Sequence, residues 1–321
     1  QSFEVRNRLH EADPQNATLA VEAGYARLKV GEVLTNLGRL DEAQREFEEA
    51  LALHEAVISL NPEHRLAART SIDVLDGLGE VYRQKKEFDK MLEVAKRKLE
   101  VATRIYETDR DNRDAQRAVA RVMISMGDAY HALKEEDRAI ESYLEAERDM
   151  QRLKEPSAGD ERELATALEN LSGALFDKQR PEEATNVMER ALEVRRSHAE
   201  MANATVGARQ RYCFTMEKLA DMKLERGDNE GARALLGRSI AIREPLIDAE
   251  TGSETYRQLA LAYDQLARAE IGLKSAKPAL AALTKALPIR EKLLLERAAD
   301  GQRQRNLAAV VLTHASSGCL L

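Results

Sequence analysis

The chain has 321 residues, 43 % of them hydrophobic and 33 % charged, with a net charge of −7; that is enough apolar material for two ordinary domains or one long repeat array. Ala, Leu, Glu and Arg dominate, aromatic residues reach only 4 % and tryptophan is absent, so strong helix formers outweigh strand formers and an all-α fold is expected. The acidic balance argues against the basic footprint of a nonspecific nucleic-acid binder, Cys213 and Cys319 are no disulfide framework and point to a reducing, cytoplasmic compartment, and no uncharged apolar run reaches the roughly 18 residues of a membrane span.

In chain order, Val5 to Leu9 followed by Asp13-Pro14-Gln15-Asn16 has the pattern of a helix end and its linker, so residues 1–13 are expected to be a partial unit. The unit at 16–61 carries the turn Gly38-Arg39-Leu40-Asp41-Glu42-Ala43. The unit at 62–110 opens after Pro62 and carries Lys86-Glu87-Phe88-Asp89-Lys90-Met91. The next, 111–156, carries Lys134-Glu135-Glu136-Asp137-Arg138-Ala139, and 157–202 carries Gln179-Arg180-Pro181-Glu182-Glu183-Ala184. The last two, 203–250 and 251–300, carry Gly227 to Ala232 and Lys274 to Ala279. Residues 301–321 form a second partial unit, with a further helix expected from Gln302 to Ser316. Both ends have the look of cuts, and the chain is expected to be a fragment of a longer polypeptide.

The last residue of each turn is an anchor. The anchors stand at 43, 91, 139, 184, 232 and 279, so the spacings are 48, 48, 45, 48 and 47. Four residues later come Phe47, Ala95, Tyr143, Met188, Leu236 and Leu283, and seven later Ala50, Lys98, Ala146, Ala191, Ser239 and Ala286. Twelve earlier come the small residues Gly31, Gly79, Gly127, Ser172, Ala220 and Ala267. Offsets of this kind share one helical stripe, and small residues let two helices approach. Each unit therefore reads as a first helix, a tight turn and a second helix. Pro181 and Pro278 open second helices, where a missing N–H costs nothing. Pro245 and Pro288 fall inside second helices and are expected to bend or break them.

These residues resemble the tetratricopeptide repeat family. Its first-helix signature is matched by Leu78-Gly79…Tyr82 and Met126-Gly127…Tyr130, and its second-helix signature by Ala43…Phe47…Ala50. The stretches Ala241-Ile242-Arg243-Glu244 and Pro288-Ile289-Arg290-Glu291 look like the long-repeat bacterial arrays of the family. The resemblance implies an all-α, right-handed superhelical solenoid of antiparallel helix pairs over the whole of 1–321, with each unit longer than the family's usual repeat because both helices are extended.

Motifs that carry chemistry do not converge. Gly77-Leu78-Gly79 begins like a dinucleotide loop, but Tyr82 stands where the third glycine belongs and the stretch lies within a helix rather than after a strand. His10-Glu11 and His54-Glu55 lack the second histidine of a zinc motif, and the six histidines have no ligand spacing. No active site, metal or cofactor is expected. Cys213, beside Tyr212 and Phe214, reads as a small packing residue.

By the same resemblance, first helices line a concave face, with the groove positions lying 18, 15, 11, 8 and 7 residues before each anchor. The acidic residues there are Glu32, Asp73, Asp76, Glu80, Asp128, Glu169, Asp177, Glu217, Asp221, Glu225 and Asp264, against the basic Arg83, Arg121 and Arg268. Eleven minus three leaves −8 on this face, beside −7 for the whole chain. Tyr25, Phe176 and Phe214 add apolar contacts. The expected function is a protein-interaction scaffold that takes a basic or amphipathic protein or peptide segment, not nucleic acid and not a membrane. The alternatives are a structural, self-associating module and a sensor array serving a missing enzymatic domain.

Overall fold

A computed structural model of the chain describes residues 2–108, 110, 113–153, 157–247 and 253–296. The expected partial unit at 301–321, the helix from Gln302 to Ser316 and Cys319 lie outside the described residues. The chain divides into two compact units, Gln1–Arg180 and Pro181–Leu321.

The first unit contains α1 (Ser2–Ala12), α2 (Ala17–Asn36), α3 (Leu40–Leu60), α4 (Arg65–Lys85), α5 (Phe88–Thr108), α6 (Arg113–Ala132), α7 (Glu136–Gln151) and α8 (Ala158–Asp177). Each packs on the next in the chain. The second unit contains α9 (Pro181–Ala199), α10 (Val206–Glu225), α11 (Asn229–Arg243), a 3-10 turn at Glu244–Leu246, α12 (Ser253–Gly272) and α13 (Ala276–Glu296), again packed consecutively. No strand occurs among the described residues.

The turn that marks each repeat is a helix stop with one geometry. Gly38, Lys86, Lys134, Gln179, Gly227 and Lys274 stand five residues before their anchors, and all have positive φ, between 58° and 78°. The next residue's N–H reaches back to close the helix, as in Arg39 to the Leu34 carbonyl at 2.9 Å and Glu135 to the Tyr130 carbonyl at 2.8 Å. This left-handed closure satisfies last-turn carbonyls that would otherwise lack donors. It suits Gly38 and Gly227, and the lysines pay about 1 kcal/mol of backbone strain for it. The following helix then starts on acidic residues, Asp41 and Glu42 in α3 or Glu182 and Glu183 in α9, which the helix dipole favours. Asn16, Thr205 and Asp228 cap α2, α10 and α11 with side-chain oxygens.

All six anchors are buried, as are the six residues seven positions later, Lys98 and Ser239 included. Phe47 shows why the small residues matter. A Cβ on Gly31 would lie 2.6 Å from its ring, and one on Gly77 only 2.4 Å. Gly127 stands in the same relation to the Tyr143 ring, at 2.5 Å. Gly79 departs from the expected pattern: a Cβ there meets nothing within 4 Å. In that unit the position equivalent to Phe47 holds Ala95, so no ring of its own pair presses on Gly79.

Pro245 ends α11 as expected, with the chain tightening into the 3-10 turn. Pro288 does not break its helix, because α13 runs through it from Ala276 to Glu296. The proline removes one N–H from the ladder, but its φ is already helical.

Candidate partner-binding site

In the first unit the predicted groove residues are Tyr25 and Glu32 on α2, Asp73, Asp76 and Glu80 on α4, Asp128 on α6, and Glu169, Phe176 and Asp177 on α8. None is buried: Tyr25, Asp73 and Asp177 are exposed and the others half-buried. In the second unit Phe214, Glu217, Asp221 and Glu225 lie on α10 and Asp264 on α12. Phe214 and Glu225 are exposed, Asp221 and Asp264 half-buried.

Glu217 corrects the sequence reading. It is 4 % exposed and takes Arg243 Nε at 2.6 Å, Arg243 Nη2 at 3.0 Å and the Ser239 hydroxyl at 2.5 Å. Its charge is matched inside the fold, and no partner reaches it. The cause is one of register. Glu217, Asp264, Asp76 and Glu169 all stand 15 residues before their anchors. Asp264 pairs with Arg290, and Asp76 with the buried Lys98, each cation lying on the second helix of the same pair. With α2 to α13 each 15–21 residues long, that position turns toward the paired helix and not outward. The groove offsets belong to the family's shorter repeat, whose helices present that position differently.

The outer carboxylates have looser partners. Lys29 meets Glu32 at 2.8 Å and Arg83 meets Glu80 at 2.6 Å, both one helical turn apart. Arg268 reaches Asp221 at 3.5 Å, beside the Gln265 amide from which Asp221 accepts at 2.5 Å. Exposed pairs of this kind are worth about 0–1 kcal/mol, so a competing cation displaces them cheaply. Desolvation by the packed helices, then the charge of Asp76, pushes the Asp73 carboxyl above the usual carboxylate range. Lys29 lies over the Tyr25 ring at 5.3 Å and Lys218 over the Phe214 ring at 5.5 Å; the exposed aromatic faces therefore already attract ammonium groups.

The helices of the first unit also enclose a cleft of about 340 Å³. Its lining includes Arg83 on α4, Phe88 and Met91 on α5, Asp128 and His131 on α6, Tyr143 on α7, and Glu169, Asn170 and Gly173 on α8. Asp128 is its fixed point: one carboxylate oxygen, Oδ1, accepts from the Tyr143 hydroxyl at 2.6 Å and from Asn170 Nδ2 at 2.8 Å. Burial pushes this carboxyl above its ordinary range, against the two hydrogen bonds that favour the ion. At the cleft edge, His131 Nδ1 lies 2.7 Å from Glu136 and Nε2 lies 3.8 Å from Asp177. Only the contact with Glu136 is a hydrogen bond, Asp177 lying beyond that distance, and one ligand atom from each of the three residues falls within 4.8 Å of the others.

Of the cleft residues, the sequence singles out Asp128, Glu169 and Arg83 as groove positions, whereas Tyr143 reads as core and Asn170 only as a chance Asn-x-Ser triplet. Gly173 carries a signal visible in the sequence. It stands 11 residues before its anchor, where the other units place Glu32, Glu80, Asp128, Asp221 and Arg268. Cys213 is fully buried; burial pushes its thiol up to about 11, and Sγ lies 3.6 Å from the Ser239 carbonyl. It packs and is not activated. Among the described residues no helix is long and apolar enough to cross a membrane.

Two family models described as tetratricopeptide repeat match the chain, one at residues 25–65 and 164–199 and the other at 120–148. No curated protein sequence matches it. Among solved structures it is similar to BtubC (BKLC) from P. vanneervenii, at 17 % identity over 79 % of this chain and 92 % of that one, with a TM-score of 0.62. It is also similar to the apo form of RapI, at 13 % identity over 85 % of each chain and a TM-score of 0.51. At these identities the likeness is one of fold.

Proposed function

Because the chain is a tetratricopeptide repeat protein, we propose that it is a protein-interaction scaffold whose first-helix surfaces hold a basic or amphipathic segment of a partner. One observation carries the reading. Glu32, Asp73, Glu80, Asp128 and Asp177 all reach solvent on successive first helices of one compact unit, and only Arg83 and Arg121 oppose them there at the predicted groove positions. A surface of one sign attracts its opposite over a Debye length and sets partner choice more than raw affinity. The exposed Tyr25 ring of that unit, which already holds Lys29, suits the same ligand.

The test is titration of the full chain with a lysine- and arginine-rich peptide. Binding is expected at low salt, weakening steeply as salt is added, because the Debye length shrinks from about 30 Å at 0.01 M to about 8 Å at 0.15 M. An absence of binding at low salt would rule the reading out.

A further inference from the structure

We infer that the cleft among α4, α5, α6, α7 and α8 is a receptor for one lysine side chain of the bound segment, with the free carboxylate oxygen of Asp128 as its acceptor. The inference rests on the scaffold reading above and narrows it to a single anchoring group.

Asp128 is held as a receptor is held. Both of its donors, Tyr143 and Asn170, converge on Oδ1. Among the described residues Oδ2 receives no donor, while the group sits in a cleft and not on open surface. A carboxylate with one oxygen fixed and one vacant is aimed before the ligand arrives, so little ordering remains to be done on binding. The charged form is also under-compensated here, since burial outweighs both hydrogen bonds, and an arriving cation supplies what is missing.

The cleft has the shape for the rest of a lysine. Phe88, Met91 and the Tyr143 ring give apolar wall for the methylene stem, and a long basic side chain buries such a stem readily. The space of about 340 Å³ corresponds to on the order of ten waters at about 30 Å³ each, a part of which the stem displaces. Gly173 opens it further: a Cβ added there meets nothing within 4 Å, and the residue occupies the register position where Glu32, Glu80, Asp128, Asp221 and Arg268 project side chains from the other units.

The acceptor favours lysine over arginine. A guanidinium gains most from two parallel bonds to both oxygens of a carboxylate. Here Oδ1 already takes two donors, and a single vacant oxygen suits a point-like ammonium. Arg83 also lines the cleft but is engaged by both oxygens of Glu80, at 2.7 and 2.6 Å. It opposes an incoming cation without occupying the acceptor.

The experiment uses the full chain and three short peptides that alternate alanine with lysine, arginine or acetyl-lysine. At low salt the lysine peptide is expected to bind about tenfold more tightly than the arginine peptide, and to shift the Asn170 side-chain amide resonance. The acetyl-lysine peptide leaves that resonance still. Asp128→Asn keeps an acceptor for Tyr143 and Asn170 but presents a donor at the vacant position, so the lysine advantage disappears and residual binding becomes equal for the two basic peptides. Gly173→Leu fills the cleft with a better helix former and has the same effect. Arg83→Gln removes the opposing charge and strengthens lysine binding several-fold. Equal binding of the lysine and arginine peptides to the unaltered protein overturns the cleft while leaving the acidic surface intact, and so does a lysine advantage that survives Asp128→Asn. Failure of every basic peptide to bind at low salt removes the scaffold reading itself, and the anchor with it.

Discussion

Gly77 and Gly79 lie two residues apart on α4 and show how little a residue's identity says without its neighbour. A Cβ on Gly77 falls 2.4 Å from the Phe47 ring, whereas one on Gly79 meets open space. Gly77→Ala is therefore expected to destabilise the protein by about 1–3 kcal/mol through overpacking, and Gly79→Ala to stabilise it by about 0.5–1 kcal/mol through helix propensity. Urea denaturation of the pair reads both signs in one experiment; equal shifts would refute the packing account. His54 offers a second test. It is fully buried among Gly24, Val21 and Thr70, its Nε2 lies 3.4 Å from the Val21 carbonyl and from the Thr70 hydroxyl, and its Nδ1 has no partner among the described residues. Burial lowers its pKa below the ordinary 6.5. The folded form then resists a proton that the unfolded chain accepts, so this residue's contribution is fully present above 6.5 and is lost as pH falls below it. Unfolding free energy measured from pH 7.5 down to 5 should decline, and His54→Gln should flatten the decline.

Helix pairs were legible because their signals are local. The anchors recur at near-constant spacing, and the left-handed residue five positions earlier follows the same register even where it is lysine or glutamine. What the sequence could not supply was the rotation of each helix about its own axis. Tyr143 occupies a core position of α7, yet its hydroxyl reaches out to fix Asp128. Position 15 before the anchor likewise passed for groove, when at Glu217 it faces α11. That pair is testable. Arg243 and Glu217 are 3 % and 5 % exposed as side chains. Arg243→Met strands a buried carboxylate and should cost about 3–5 kcal/mol, while adding Glu217→Met should recover most of it, since hydrophobic replacement of a whole buried pair is often neutral or better. Chemical denaturation of the two single variants and the double variant closes the cycle; additive losses would mean that the two residues are not coupled.

For the molecule as a whole, the ion-pair register redistributes the charge on which the binding proposal depends. Removing Asp76, Glu169, Glu217 and Asp264, which share the register that turns toward the paired second helix, leaves seven of the eleven predicted carboxylates. Glu32, Asp73, Glu80, Asp128 and Asp177 belong to the first unit, and only Asp221 and Glu225 to the second. Attraction for a polycation should therefore differ between the units although their folds are alike. Reversing Glu32 and Asp73 to lysine removes two outer charges from the first unit, one exposed and one half-buried, without touching a buried contact. The same double reversal at Asp221 and Glu225 is the control, with one exposed and one half-buried site in the second unit; since Asp221 accepts from the buried Gln265, urea denaturation must show that the fold survives the reversal. At low salt the first pair should weaken a lysine-rich peptide by about tenfold and the second by a smaller factor, the gap closing as salt shortens the Debye length toward about 8 Å. Equal losses from both reversals would mean that net charge alone governs attraction. A gap that persists at high salt would place the difference in short-range contacts, where the Asp128 cleft and not the surrounding field would have to account for it.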